Sequence, residues 1–242
     1  MNLAPGERAH AELMDRIYRW QRPIYDVTRK YYLLGRDRTI RDLALPPCGT
    51  VLEIGCGTGR NLALVRRLWP EARLHGIDIS AEMLKSAHAR RGLNAVLALG
   101  DAAAFDAGHL LGRLNFDRIV MPYCLSMIPA WREAIVNACC LLAPGGSLHI
   151  VDFGDCAAWP GPLRSGLRRW LAAFHVTPRD DLAEFVARTA SARGLACAIS
   201  VGAGGYYQRL VVSRPGQPSA RTEATVTKLT PSRHGGAIKG GH

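Results

Sequence analysis

Much of the architecture follows from one segment, which is Val51-Leu-Glu-Ile-Gly-Cys-Gly-Thr-Gly-Arg-Asn61. Its apolar beginning is typical of a buried strand, and the Gly-x-Gly-x-Gly turn that follows leaves bare backbone against which a nucleoside can lie without meeting a Cβ atom. The next apolar run ends at Asp78, whose carboxylate can accept hydrogen bonds from both hydroxyls of a ribose. The pattern therefore predicts a loop that binds a nucleoside-containing cofactor.

The third glycine of this loop separates two kinds of cofactor. Dinucleotide-binding loops have the pattern Gly-x-Gly-x-x-Gly, whereas here Arg60 occupies the last position and Gly59 comes one residue earlier. Glu53 stands two residues before the first glycine, where we expect it to hold the loop through backbone N–H groups. The Glu-x-Gly-x-Gly-x-Gly pattern resembles the first motif of the class I S-adenosylmethionine-dependent methyltransferases. The resemblance implies cofactor contacts from Glu53, Gly55, Cys56, Gly57, Thr58, Gly59, Asn61, Asp78 and Ile79. The alternative is a tight turn between a strand and a helix that binds no ligand.

Composition limits the possible classes of protein. The chain has 242 residues, 48% of them hydrophobic, which is enough for one core of good size. Its first residues lack the apolar stretch of a signal peptide, and no apolar run approaches the ~18 residues that span a bilayer, so we expect a cytoplasmic protein. Its seven cysteines include no Cys-x-x-Cys pair, which favours reduced thiols over disulfides or a zinc site, and no metal site is predicted.

Of the net charge of +11, residues 214–242 carry +4 and the rest of the chain carries +7, part of it in two clusters. One cluster near the N-terminus contains Arg16, Arg19, Arg22, Arg29, Lys30, Arg36, Arg38 and Arg41, and another contains Arg164, Arg168 and Arg169. Basic surfaces of this kind favour phosphate-rich partners, either nucleic acid or an anionic membrane.

Hydrophobic periodicity predicts strands that alternate with helices after a helical N-terminal region. The expected strands are 50–54, 73–77, 95–99, 116–121 and 147–151, with helices near 61–68, 81–90, 131–142 and 179–193 and with Ser80 as an N-cap. Two further strand-like runs, 196–201 and 206–213, are joined by Gly202-Ala-Gly-Gly205, which indicates a hairpin.

This order predicts an α/β fold, a Rossmann-like sheet of seven strands, mostly parallel with the last strand antiparallel, and helices on both faces. An antiparallel final pair matches the class I methyltransferase architecture. We expect a helical N-terminal lid with substrate-binding groups over 1–48, the S-adenosylmethionine-binding domain over 49–213, and a disordered basic tail over 214–242, where large apolar residues are few.

Further positions match the methyltransferase pattern. Asp101, in Gly100-Asp101-Ala102 after the third strand, stands where members of that superfamily hold the adenine amino group, and Ala102 stands beside it; a strand-end cap without ligand contact is the alternative. The segment Met121-Pro-Tyr-Cys-Leu-Ser126 follows the fourth strand, at the edge where cofactor and substrate meet in these enzymes. The resemblance therefore adds Met121 to the cofactor site and Tyr123 and Ser126 to the substrate site.

The N-terminal sequence carries a second resemblance. The run from Met14 to Arg38, which includes Tyr25-Asp-Val-Thr-Arg-Lys-Tyr-Tyr-Leu-Leu-Gly-Arg36, is similar to the start of the betaine-lipid N-methyltransferases, as are Tyr123–Pro129, Trp131-Arg132 and Phe174–Pro178. Those enzymes convert diacylglyceryl-homoserine to diacylglyceryl-trimethylhomoserine. The resemblance implies peripheral association with the inner face of a membrane and a lipid substrate in an anionic surface. The enzyme that makes the homoserine lipid is a further candidate partner.

Methyl transfer to an amine suggests roles for aromatic and basic residues. Aromatic faces attract methylammonium groups by ~0.5–2 kcal/mol, which makes Tyr25, Tyr31, Tyr32 and Tyr123 candidates for the substrate pocket, although each can equally be a core aromatic. Arg29, Lys30 or Arg36 can pair with the homoserine carboxylate, or they can form a solvated basic face. His175 can accept a proton from the amine, with a structural histidine as the alternative. The catalytic candidates are Tyr25, Tyr123 and His175.

A stripe of apolar residues, Leu163, Leu167, Trp170, Leu171 and Phe174, lies at helical spacing beside the second arginine cluster. This composition fits a helix that lies in a membrane interface, and a helix packed on the core would show the same stripe.

The sequence thus favours a methyltransferase that acts on the amino group of diacylglyceryl-homoserine. Methylation of phosphatidylethanolamine is the nearest rival, and a small-molecule or RNA methyltransferase is more distant, since no RNA-binding motif is present and no nucleic acid is expected as a partner. A cofactor-binding membrane adaptor without turnover is the alternative outside enzymes.

Overall fold

The computed structural model describes residues 33–174 and 176–216. Several predictions lie outside these residues, namely those for Tyr25, Arg29, Lys30, Tyr31, Tyr32 and His175. The same holds for most of the expected N-terminal lid and for nearly all of the tail.

Seven strands form one sheet in the order β3-β2-β1-β4-β5-β7-β6. The strands are β1 (Thr50–Ile54), β2 (Arg73–Asp78), β3 (Ala95–Leu99), β4 (Phe116–Pro122), β5 (Leu142–Phe153), β6 (Ala196–Gly202) and β7 (Tyr207–Ser213). Neighbours among β1 to β5 pair in parallel, and β7 runs antiparallel to both β5 and β6. The predicted fold class is confirmed.

The described helices are α1 (Arg36–Arg41), α2 (Arg60–Leu68), α3 (Ala81–His88), α4 (Ala107–Leu111), α5 (Trp131–Cys140), α6 (Gly161–Ala173) and α7 (Leu182–Ala192). Ser80 caps α3 as predicted, because its side chain accepts a hydrogen bond from the Met83 N–H. A one-turn 3₁₀ helix, Ala203–Gly205, closes the expected hairpin between β6 and β7.

The helices cover both faces of the sheet because the central strand β1 is buried along its whole length and directs apolar side chains to each face in turn. On one face Leu52 and Ile54 of β1 pack with apolar residues of α4, α5 and α7. On the other face Val51 packs with apolar residues of α1, α2 and α3. A smaller cluster around Tyr123 and Phe153 lies where β4 and β5 end, and it includes residues of α6.

Strand β5 is longer than the sequence indicated. It begins at Leu142, which pairs with Phe116, and the register then shifts so that Ser147 pairs with Arg118. The Pro144-Gly145-Gly146 segment therefore forms an irregularity inside the strand, whereas the sequence predicted that the strand would begin at residue 147.

None of the described helices is long and apolar enough to cross a membrane. All seven cysteines lie in the described part and are free thiols. Within the same residues, histidine, cysteine and acidic side chains form no group of three that could bind a metal ion.

Candidate cofactor and active site

The carboxyl ends of β1 to β5 meet at one edge of the sheet, where ligands bind in open α/β folds. The glycine loop lies at this edge, with positive φ at Gly55 (72°), Gly57 (53°) and Gly59 (73°). A Cβ on Gly55 would lie 2.8 Å from the Cβ of Cys124, and one on Gly59 would lie 2.9 Å from the Leu93 side chain. A Cβ on Gly57 would have no atom within 4 Å. Packing thus requires glycine at positions 55 and 59, whereas Gly57 faces open space that a cofactor can fill.

Asp78 holds this loop in place. Its Oδ2 atom accepts a hydrogen bond of 2.7 Å from the Gly57 N–H, and its Oδ1 atom accepts one of 2.9 Å from the Ser80 N–H. Its carboxylate is half-buried at the end of β2, and Ile79 beside it is also half-buried. The position suits the predicted contact to ribose hydroxyls, and the sequence did not reveal the additional role in shaping the loop.

Glu53 is fully buried beneath the loop. Its Oε1 atom accepts a hydrogen bond of 2.7 Å from the Asn61 side chain, and the Leu62 N–H supports the carboxylate as well. The donors therefore belong to α2, whereas N–H groups of the glycine loop were expected. Its Oε2 atom has no hydrogen-bond partner within the described residues. Burial raises the pKa of Glu53 to about 8, and the hydrogen bond from Asn61 opposes that rise.

Asp101 follows β3 and forms a turn of its own. Its Oδ1 atom accepts a hydrogen bond of 2.9 Å from the Ala103 N–H, so a capping role is present. The adjacent Gly100 N–H donates to the Asp78 carbonyl, which places the two acidic positions on neighbouring strand ends. The side chain of Ala102 is buried in the core. Contact of Asp101 with an adenine amino group stays a prediction.

Helix α1 packs against α2 beside the cofactor loop. Asp37 on α1 accepts two hydrogen bonds from Arg60, of 2.7 and 3.1 Å. Arg209 on β7 holds the other side of α1 through bonds of 3.0 Å to Thr39 and 2.7 Å to Asp42. The helix is therefore fixed at both ends over the sheet edge.

Arg36, in the first turn of α1, carries a buried guanidinium group with 7% of its side chain exposed. It lies 3.7 Å from Asp37. Burial raises the pKa values of Glu53 and Tyr123, and the charge of Arg36 offsets part of both rises. The guanidinium is therefore close enough to Glu53, beneath the glycine loop, and to Tyr123 to influence both groups. The sequence assigned Arg36 to the substrate carboxylate, and the geometry also allows it to bind the carboxylate of a cofactor.

Tyr123 directly follows β4 and is held in a left-handed conformation with φ of 57°. Its hydroxyl donates a 2.5 Å hydrogen bond to the Leu34 carbonyl, and its ring meets Phe153 edge-on at 4.8 Å. Burial raises the pKa of this hydroxyl well above its usual range. The ring lines a small apolar cleft formed by Leu33, Tyr123, Phe153, Trp170, Leu171, Phe174 and Val176.

The loop after Tyr123 is supported by groups that the sequence analysis did not single out. Asp152, at the end of β5, accepts hydrogen bonds from the Ser126 N–H at 3.2 Å and from the Phe153 N–H at 2.8 Å. Burial raises the pKa of Asp152 to about 6, against the effect of these N–H donors. Arg179 donates to the carbonyls of Leu125 and Ile128. The end of an apolar strand, the same signal that identified Asp78, could have drawn attention to Asp152.

The structure thus brings most of the predicted cofactor residues together at one edge of the sheet, whereas two other predicted site residues are buried. The glycine loop, Asp78, Ile79 and Asp101 share one edge, with Glu53 and Asn61 directly beneath it. Met121 and Ser126 are buried, with Met121 inside the main core. Their proposed contacts with cofactor and substrate stay predictions.

A seven-stranded sheet with an antiparallel β7, a glycine loop after β1 and an acid at the end of β2 together form the Rossmann-like methyltransferase fold. Residues 51–146 match the family model described as a methyltransferase domain. S-adenosylmethionine is the cofactor of this domain, and the open space at Gly57 fits it.

Two curated proteins and one solved structure illustrate the similarity. A trans-aconitate 2-methyltransferase of Streptomyces avermitilis is 35% identical over 105 residues, which are 40% of this chain and 36% of that protein. A malonyl-[acyl-carrier protein] O-methyltransferase of Herminiimonas arsenicoxydans is 34% identical over 138 residues, 54% of this chain and 52% of that protein. The chain thus spans about half or less of the length of these relatives.

The solved structure is the plantazolicin methyltransferase BpumL in complex with a triazolic analog and SAH. It superposes with a TM-score of 0.65 at 15% identity and covers 86% of this chain and 96% of that one. At this identity the likeness supports the fold.

Proposed function

We propose that this protein is an S-adenosylmethionine-dependent N-methyltransferase whose acceptor is the amino group of a lipid headgroup, with diacylglyceryl-homoserine as the substrate. The observation that carries the proposal is the cleft at Tyr123. It is lined by apolar and aromatic side chains, it opens beside α6, and it ends at the sheet edge that holds the cofactor loop. The cleft has a volume of about 20 Å³ among the described residues, so its apolar lining supports an apolar neighbour for the reacting amine and does not enclose the headgroup.

The chemistry requires positioning more than covalent catalysis. When bound, S-adenosylmethionine supplies an electrophilic methyl group on its sulfonium. The chain must hold a neutral amine lone pair in line with that methyl group, which favours precise orientation over a protein nucleophile. The Leu34 and Phe153 contacts of Tyr123 fix its ring at the cleft, and an aromatic face attracts an ammonium group without a directional bond that methylation would destroy.

Between successive transfers the product ammonium must lose a proton. His175 is the proposed acceptor, because its neutral imidazole can take a proton near neutral pH and its neighbours Phe174 and Val176 line the cleft. Arg29, Lys30 or Arg36 is proposed to pair with the carboxylate of the homoserine group, and Tyr25, Tyr31 and Tyr32 complete the proposed pocket. The similarity of the run from Tyr25 to Arg38 to betaine-lipid N-methyltransferases supports this assignment.

A second candidate is methyl transfer to an oxygen atom of a small acid or acyl group. The identity with the trans-aconitate and malonyl-[acyl-carrier protein] enzymes favours it, because both names describe acidic acceptors. The matched segments cover about half or less of those proteins, so they favour the shared cofactor domain more than the acceptor.

The experiment is a transfer assay with S-adenosylmethionine labelled in its methyl group. The acceptors are diacylglyceryl-homoserine, phosphatidylethanolamine, trans-aconitate and a mixed RNA, with each lipid presented in mixed micelles. We expect label in the homoserine lipid at a rate at least tenfold above each other acceptor.

The other results would redirect the assignment. Label in phosphatidylethanolamine or in trans-aconitate alone would show that the proposed acceptor is wrong and that the protein is still a methyltransferase. Cofactor binding by calorimetry without transfer to any acceptor would instead favour a cofactor-binding membrane adaptor.

A further inference from the structure

Helix α6 projects from the sheet edge with little of its surface covered by the described residues. Leu171 is buried and Leu167 is half-buried against the cluster around Tyr123. Three large apolar side chains stay exposed, Leu163 by 60%, Trp170 by 42% and Phe174 by 40%. Packing on the core therefore accounts for Leu167 and Leu171 and leaves the other three apolar side chains of the stripe unexplained.

The three exposed side chains share one side of the helix. Because successive helical residues turn by about 100°, positions 163, 170 and 174 fall within an arc of about 40°, and Leu167 and Leu171 lie next to that arc. The Trp170 and Phe174 rings contact each other, with centroids 5.1 Å apart. The result is a continuous apolar ridge, which we call the α6 ridge, formed by Leu163, Trp170 and Phe174.

Basic side chains lie along the same helix. Arg164 and Arg169 are exposed on α6, and Arg168 forms an ion pair of 2.6 Å with Asp180. The helix itself contains no acidic residue. An apolar ridge beside exposed arginines is complementary to the headgroup boundary of an anionic bilayer, where the rings enter the acyl region and the arginines meet phosphate.

The ridge also leads to the site. Trp170 and Phe174 line the cleft together with Tyr123, so the outer wall of that cleft is the inner side of the ridge. The ridge and the wall of the cleft therefore share two side chains.

We propose that the α6 ridge is the membrane-docking surface of this protein and that it inserts into anionic bilayers at the mouth of the Tyr123 cleft. The idea that a lipid substrate enters the cleft at this surface rests on the proposed function, whereas docking to a membrane requires no methyl transfer. The two can therefore fail separately.

The test is flotation of the full chain with vesicles of phosphatidylcholine alone or mixed with phosphatidylglycerol. We expect flotation with the anionic vesicles, and at least a tenfold loss of bound protein when Leu163, Trp170 and Phe174 are all replaced by Ser. The matched control replaces Ile199 and Val201, which are exposed by 46% and 64% on β6, by Ser, and we expect it to float like the wild type. Replacement of Arg164 and Arg169 by Glu should reduce binding to anionic vesicles, whereas Arg67→Glu on α2 should not.

A second measurement locates the contact independently of the triple variant. Phospholipids brominated on their acyl chains should quench tryptophan emission of the wild type and quench Trp170→Phe much less. Absence of wild-type flotation, equal flotation of the ridge variant, or equal quenching of Trp170→Phe would overturn the proposal. A wild-type dimer that the ridge substitutions dissociate, without vesicle binding, would assign the ridge to a second copy and would overturn it as well.

Discussion

At the scale of single residues, the three glycines of the cofactor loop are required for two different reasons, one of packing and one of ligand binding. Gly55 and Gly59 are needed because a Cβ would strike Cys124 or Leu93, but the open side of Gly57 has no such neighbour. What limits residue 57 is therefore its positive φ together with the cofactor that fills the space.

We expect Gly57→Ala to raise the Kd for S-adenosylhomocysteine at least tenfold, since the new methyl group enters the cofactor space. Its backbone cost should be about 1–2 kcal/mol of folding free energy. Gly92→Ala is the matched control, because Gly92 also has positive φ (72°) with no atom within 4 Å of an added Cβ. Calorimetric titration and urea unfolding of both variants check this; equal cofactor affinity in the two would contradict it.

Arg36 has two possible carboxylate partners, and one comparison of ligands separates them. Arg36→Gln should raise the Kd for S-adenosylhomocysteine at least tenfold, about 1.4 kcal/mol, and leave that for 5′-methylthioadenosine unchanged, because the second ligand lacks the amino-acid group. The expectation follows from the burial of the guanidinium and from its influence on Glu53, which lies beneath the cofactor loop. If both affinities are unchanged and the KM of the lipid rises, Arg36 serves the acceptor as the sequence indicated.

Glu53 makes stability depend on pH. Its folded pKa is raised to about 8, above its ordinary value of 4.5, so the folded protein retains a proton that the unfolded chain releases. The free energy of unfolding should therefore fall as pH rises from 5 to 8, by at most ~1.4 kcal/mol per pH unit from this group. Urea unfolding of the protein without cofactor should show this slope, and Glu53→Gln should flatten it. Parallel pH profiles for the two proteins would count against a raised pKa.

At the scale of elements, α1 depends on close contact with β7. Gly35 precedes the helix with φ of 77°, and a Cβ there would lie 2.5 Å from the Tyr207 ring. The short loop before β1 and the Arg209 contacts leave the helix little room to move away.

Gly35→Ala should therefore lower the free energy of unfolding by about 2–4 kcal/mol, from backbone strain and overpacking together. Gly112→Ala is the control, because its φ is 64° and an added Cβ meets no atom within 4 Å. That variant should lose only the backbone part, about 1–2 kcal/mol. Equal losses in urea unfolding would show that the Tyr207 contact does not constrain α1.

The elements also show which sequence signals suffice. Strands β1 and β3 begin and end as predicted, since each apolar run is bounded by clear turn residues at Gly49 and Gly100. Helix α4 has five residues, too few for a helical period to be visible, and it was not predicted. The apolar stripe of α6 was predicted, but whether it is covered depends on neighbours that no local pattern contains.

At the scale of the whole molecule, the cofactor edge was more predictable than the acceptor. The order of strands and glycines constrains one end of a parallel sheet, so the sequence alone predicts Asp78 and Asp101 there. The partners of Glu53, the buried carboxylate of Asp152 and the fixing of α1 by Arg60 and Arg209 arise from contacts between distant segments, which residue spacing does not encode.

The charge of the molecule is consistent with an acceptor that lies in an anionic membrane surface. A net charge of +11 favours attraction to anionic surfaces, and the exposed Arg164 and Arg169 lie on the helix that borders the Tyr123 cleft. The central claim is that an amine at this cleft receives the methyl group.

The most direct test is the chemical stability of the transferred label. The protein is incubated with methyl-labelled S-adenosylmethionine and diacylglyceryl-homoserine in anionic vesicles, and the recovered headgroup is treated with mild alkali. Label on nitrogen survives this treatment, whereas label in a methyl ester is released. The account predicts alkali-stable label in the trimethylated headgroup, and label that alkali releases, or none in the lipid, would contradict it.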